Sequence, residues 1–273
     1  MPGFRTTRSS VVLVLLLSAV VMACGSSSDQ AATTTGSGTG TTTAAATVSG
    51  SVTVLAPAPL KAALEKAKAT FEGEHPGTTV TLNLGHVPTL LTQLQEGVAG
   101  DVLVTPDEPT MKQAQDKSLV AGTPAPVARN ELTIVVPADN PGKVAGVESL
   151  GNKDIAIAVC AAELPCGKLA EQLAQKAGVT VEADSKEPGG SPAIVTKAAA
   201  GEIDLGVVYA SDVKAGGDKV TAIPVAKTAT VSAQVMAASL VASRNKATAD
   251  AFVTFLASPA GQTLFTQVGF ATL

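Results

Sequence analysis

Two cysteines with five residues between them, Cys160 and Cys166, form the first pair in this chain whose type and spacing could carry chemistry. Such thiols can close a disulfide, hold a metal or cycle as a redox couple. The usual redox spacing is Cys-x-x-Cys, and no histidine or third cysteine lies near enough in sequence to complete a metal site. The only histidines are His75 and His86, and the only tyrosine is Tyr209. No serine, histidine and aspartate stand in a triad order, and no carboxylates or metal ligands recur at a working spacing, so the chain is not expected to be an enzyme. Ser191-Pro192 reads as a helix start, with serine at the cap and proline in the first turn.

The third cysteine, Cys24, gives the address. Arg5 and Arg8 precede an apolar run, Val11 to Val21, which is too short to cross a bilayer core of ~30 Å. Val21-Met22-Ala23-Cys24 followed by Gly25-Ser26-Ser27-Ser28 resembles the lipobox of bacterial lipoproteins. That resemblance makes residues 1–23 a signal peptide, Cys24 the lipid-bearing first residue, and the outer face of the cell membrane the location. Residues 24–50 are almost entirely Ser, Thr, Gly and Ala, too polar and small to order themselves, and read as a flexible tether reaching roughly 25–30 Å. Loss of Arg5 and Arg8 takes the net charge from −4 to −6, a poor balance for nucleic acid. An exported compartment permits a disulfide, so the structural bridge Cys160–Cys166 is the favoured reading, contributing about 2 kcal/mol for so short a loop.

The elements that must position these residues follow from the hydrophobic pattern. With 45% hydrophobic and 15% charged residues, a sizeable core is within reach; with no Trp, it must be built from Ala, Val, Leu and Ile. Strands are expected at Ser51 to Ala56, Thr79 to Leu84, Asp101 to Thr105, Glu131 to Pro137, Ile155 to Val159, Thr180 to Ala183 and Leu205 to Tyr209. Helices are expected at Leu60 to Phe71, Leu90 to Glu96, Thr110 to Lys117, Gly167 to Ala177 and Pro192 to Ala200, with two closing helices at Thr248 to Leu256 and Ala260 to Phe265. Ala233 to Leu240 is a further apolar run. Strand alternates with helix throughout, which predicts an α/β fold with a mainly parallel sheet.

Several stretches, in order, resemble the molybdate-binding proteins of bacterial ABC importers, within the type 2 periplasmic binding protein fold. They are Val54-Leu55-Ala56-Pro57-Ala58-Pro59-Leu60; Gln93 to Val104; Val159-Cys160 with Leu164-Pro165-Cys166-Gly167, similar to actinobacterial members that also carry paired cysteines; Gly206-Val207-Val208-Tyr209-Ala210-Ser211-Asp212; and Phe252 through Ser258-Pro259-Ala260-Gly261 to Val268-Gly269-Phe270. The resemblance runs from about Val52 to Phe270. It implies two α/β lobes, each a mainly parallel sheet flanked by helices, closing by a hinge on a ligand in the cleft between them. Lobe I would take residues 51–129 and 227–273, and lobe II residues 130–226. It also implies a monomer that serves a permease and ATPase complex, with molybdate or tungstate as ligand and no cofactor.

A tetrahedral oxyanion presents only acceptors, so its site must offer donors, which helix N-termini supply without a cation. By resemblance the donors are the hydroxyl of Tyr209 and the backbone N–H groups of Cys166 and Ser191 on lobe II. On lobe I the family's serines are replaced: Pro59, after Ala58, offers neither hydroxyl nor N–H, and Val87-Pro88 stand where a serine pair belongs. His86 and Thr89 are the nearest replacements. Two lost donors, at about 1–3 kcal/mol each, would weaken oxyanion binding a hundredfold or more. A scaffold that has changed or lost its ligand, acting as a surface sensor or interaction protein, is the competing expectation.

Overall fold

The computed structural model describes residues 48–273; the expected signal peptide, Cys24 and most of the expected tether lie outside the described residues. The first half of the chain forms β1 (Gly50–Pro57), α1 (Lys61–Glu74), β2 (Thr78–Gly85), α2 (Val87–Gln95), β3 (Val102–Thr105), α3 (Glu108–Asp116) and the long β4 (Val120–Pro137). There follow β5 (Ile157–Cys160), α4 (Pro165–Ala177), β6 (Ser185–Glu187), α5 (Gly190–Ala199), β7 (Leu205–Tyr209), the single turn α6 (Ala210–Val213), β8 (Val220–Ile223), β9 (Ser232–Leu240), α7 (Lys246–Ala257) and α8 (Pro259–Thr266).

The strands run in the order β2-β1-β3-β9-β4-β7-β5-β6, with β8 also on β4. Pairing is parallel within β2-β1-β3 and within β7-β5-β6. Every antiparallel pair involves β4 or β9. These two strands join the lobes. β4 pairs with β9 as far as Glu131 opposite Ser232, then leaves it and pairs with β7 from Leu132 opposite Tyr209. Register slips between Ala121 and Ala125 and between Pro126 and Ala128 fall where Pro124 and Pro126 lack the N–H a ladder needs.

Both sheets are covered on both faces, which explains why their strands are apolar runs rather than clean alternations. In lobe I, Val52 and Val54 of β1 face Ala63, Leu64, Ala67 and Phe71 of α1, whose three- and four-residue spacing makes one stripe. Phe71 meets Phe252 edge-on at 5.0 Å between ring centres. Leu55 points the other way, toward Leu90, Leu91 and Leu94 of α2. Lobe II repeats the plan: Ile134 and Val136 share a core with Ile157, Leu173 and Val207, while Val135 faces Ala158, Ile194 and Val208.

The structure corrects three local expectations. Residues 180–183 are not a strand: Val181 and Ala183 pack on the lobe II core, but a ladder partner for this stretch is met only from Ser185, opposite Ala158. The strand expected at Glu131 to Pro137 begins much earlier, at Val120, and β8 falls in a stretch, Val220–Ile223, without strong β character. The tether's expected end also moves inward. Gly50 already belongs to β1, and Ser49 donates its N–H to the Thr248 hydroxyl, at 3.1 Å, while its carbonyl accepts from the same hydroxyl.

Candidate functional site

A cavity of about 360 Å³ opens between the lobes where β1, β3 and β7 end. Hollows of about 530 and 640 Å³ are each lined from one lobe, and one of about 510 Å³ beside the cleft is lined by Asp107 and Gln113 from one lobe and Lys168 and Gln172 from the other but reaches neither α5 nor Tyr209.

Lobe II contributes two helix beginnings. α4 starts at Pro165, so Cys166 lies in its first turn, where backbone N–H groups have no acceptor inside the helix. Cys166 is bonded to Cys160 at the end of β5, with Cα atoms 5.8 Å apart, so the first turn is tied to the sheet. Gly167 tightens the same junction: a Cβ there would overlap the Ala161 carbonyl. α5 begins two residues earlier than the sequence suggests. Gly189 is its cap residue, Gly190 takes a φ of +67°, and Ser191 is inside the helix instead of capping it. The Ser191 hydroxyl is used differently, accepting the Tyr209 N–H at 2.9 Å, which pins the end of β7 to α5. Tyr209 follows at the strand end, half-buried.

Five of the sequence-derived candidates line this cavity: Pro59, His86, Cys166, Ser191 and Tyr209. Three do not. Ala58, in the single turn Ala58–Leu60, and Thr89, on α2, are exposed and do not line the cleft. Val87 is buried and packs with Leu90 and Leu91, because the first turn of α2 must cover that core. His86 is the cap residue of α2 and makes no side-chain cap bond.

Other lining residues were not singled out from sequence: Asp107, Asn130, Asp212, Leu60 and Phe270. Asp107 is readable as a cap, since it precedes Glu108-Pro109, and its Oδ1 accepts the Thr110 N–H at 2.8 Å. Asp212 closes the Tyr-x-x-Asp stretch, but nothing in its neighbours announced that it faces the cleft. Asn130 sits at the point where β4 changes partner, and its Nδ2 donates to the Ser211 hydroxyl at 3.0 Å.

The electrostatics are set by burial and by these carboxylates. Burial raises the Tyr209 hydroxyl above its usual range, and the negative charges of Asp107 and Asp212 push it further, so it remains a neutral donor. Burial also raises Asp212, opposed by a hydrogen bond with the Ser191 hydroxyl. No Lys or Arg is among the residues lining the cleft. Chemically, the site offers first-turn N–H groups and a phenol on one side, and proline and hydrocarbon on the other. Among the described residues no group of His, Cys, Asp and Glu is arranged to hold a metal ion.

Residues 52–271 match the family model described as bacterial extracellular solute-binding protein. The chain is 29% identical over 221 residues to the molybdate-binding protein ModA of Mycobacterium tuberculosis, covering 81% of this chain and 84% of that one. It is 29% identical over 235 residues to ModA of Escherichia coli, covering 81% and 89%. Among solved structures, a substrate-binding domain from Clostridium difficile assigned to a molybdenum ABC transporter superimposes with a TM-score of 0.73 at 24% identity, over 82% of this chain and 99% of that one, which is a likeness of fold.

Proposed function

The chain belongs to the family of bacterial extracellular solute-binding proteins, not to an enzyme family, and from that premise we propose that it captures a small oxyanion-bearing ligand between its lobes for an ABC permease and ATPase complex. The observation that carries this reading is the meeting of the first turns of α4 and α5 with Tyr209 on one interlobe cavity. First-turn N–H groups and helix dipoles hold negative oxygen without a counter-cation, which agrees with the lack of Lys and Arg at the cleft. Molybdate is the inorganic ligand that the relatives' names suggest, and tungstate shares its shape and charge. The protein would act as a monomer held to the outer membrane face by lipid on Cys24. Among the described residues no helix is long and apolar enough to cross a membrane.

A specific observation favours a second reading, in which the ligand has changed: Pro59 stands on the lobe I wall and Val87 is committed to the core. Calorimetric titration of the purified protein with molybdate, tungstate, sulfate and phosphate separates the two. Submicromolar molybdate binding supports the inorganic ligand. Silence toward all four removes it and leaves an altered ligand or a non-transporting scaffold.

A further inference from the structure

The two walls of the cleft differ so much that they specify the shape of a ligand. Most donors converge from lobe II, and lobe I adds only the exposed imidazole of His86. The facing wall is hydrocarbon, with Pro57, Pro59, Leu60, Val235 and Phe270. Six of the residues lining the cleft are prolines, none of which has an N–H to offer. Of the lobe I side chains that line the cleft, only His86 can donate. Asp107, only 7% exposed, and Asp212 from the other lobe both bring carboxyl groups to the cavity, and no Lys or Arg balances them.

A bare dianion would therefore meet donors on one side and, as the lobes close, proline faces on the other. Its outward oxygens would be stripped of water with a single side-chain donor, His86, to accept from, a cost of the kind that buried unpaired polar groups carry. Two carboxyl groups nearby oppose a second negative charge further. The space points the same way. About 360 Å³ has room for roughly a dozen waters at ~30 Å³ each, far more than a five-atom oxyanion fills.

We propose that the cleft takes a small organic monoanion, with its oxyanion head on the N–H groups of Cys166 and Ser191 and on the Tyr209 hydroxyl, and its hydrocarbon part against Pro59, Leu60 and Phe270. This rests on the reading of the cleft as an oxyanion-capture site and names the class of ligand. The head is recognised by lobe II, and the tail selects by apolar contact with lobe I. Pro59 is exposed and outside the hydrophobic cores, so it tests the wall without endangering the fold.

The test is calorimetric titration of the purified protein with methane-, ethane- and propanesulfonate beside molybdate and sulfate. Affinity is expected to rise about threefold or more with each added methylene, and propanesulfonate to bind at least tenfold tighter than either dianion. Pro59→Ser, which adds a hydroxyl to the wall, should narrow that gap by about tenfold. Molybdate or sulfate binding as tightly as propanesulfonate overturns the proposal while leaving oxyanion capture intact, as does an affinity that ignores tail length. Failure of every probe to bind the folded protein overturns both.

Discussion

At the scale of residues, burial pushes Tyr209 and Asp212, three positions apart, toward their neutral forms. Tyr209 is held as a neutral phenol by burial and by the carboxylates of Asp107 and Asp212. A hydrogen bond from it to a charged oxygen is worth about 1.5–3 kcal/mol, so Tyr209→Phe should weaken propanesulfonate and molybdate alike by roughly ten- to a hundredfold. The thermal midpoint without ligand should change little, since the hydroxyl makes no bond to the described residues; titration and a thermal melt check the two halves of this expectation. Asp212 is raised chiefly by burial. A carboxyl raised in the folded state favours the proton there, so its ionised form costs stability above the raised value. That cost fades as pH falls toward the unfolded value near about 3.9. Asp212→Asn keeps an acceptor for the Ser191 hydroxyl and should be more stable than wild type at pH 7, with the advantage gone by about pH 4. Urea midpoints across that range would show it, and an equal offset at both pH values would contradict it.

At the scale of elements, the beginnings of α4 and α5 decide the site. The disulfide holds Cys166 to the end of β5, and Gly167 lets the preceding loop lie against the first turn. Replacing both cysteines by alanine should cost about 2 kcal/mol by the chain-entropy account of a short loop, read as a lower urea midpoint. It should also weaken ligand binding, because the Cys166 N–H is no longer fixed. Most of these elements were legible. The spacing of Ala63, Leu64, Ala67 and Phe71 marks α1, Gly178 ends α4 in a left-handed turn, and Leu132 to Val136 is strand under any reading. What was not legible depended on partners distant in sequence. Val181 and Ala183 look like strand residues because, two positions apart, both pack on the same core, yet pairing begins only at Ser185. Ser191 looks like a cap, but the turn that admits α5 belongs to Gly190, and the serine is spent on Tyr209. Asp107 was legible as a cap and not as a wall of the cleft, since only the packing of two lobes puts it there.

At the scale of the whole molecule, β4 and β9 are the connection about which the lobes would close. β4 leaves β9 after Glu131 and joins β7 at Leu132, so Asn130 and Tyr209 lie beside the same crossing. Closure on a ligand would bring Pro59 and Phe270 onto whatever the helix beginnings hold, which is why the nature of the wall matters as much as that of the donors. The sequence resemblance nominated Cys166, Ser191 and Tyr209, which line the cleft, and recorded the loss of serines on lobe I. It could not show what replaced them, because a hydrocarbon wall is a property of several segments brought together. The central claim, that this interlobe cleft captures an oxyanion-bearing ligand, is tested most directly by calorimetric titration of the purified wild-type protein and Tyr209→Phe with molybdate and propanesulfonate. The account predicts saturable binding of one ligand per chain for at least one of the two, weakened roughly tenfold or more in the variant. Binding that is indifferent to Tyr209, or no binding of either by the folded protein, would contradict it.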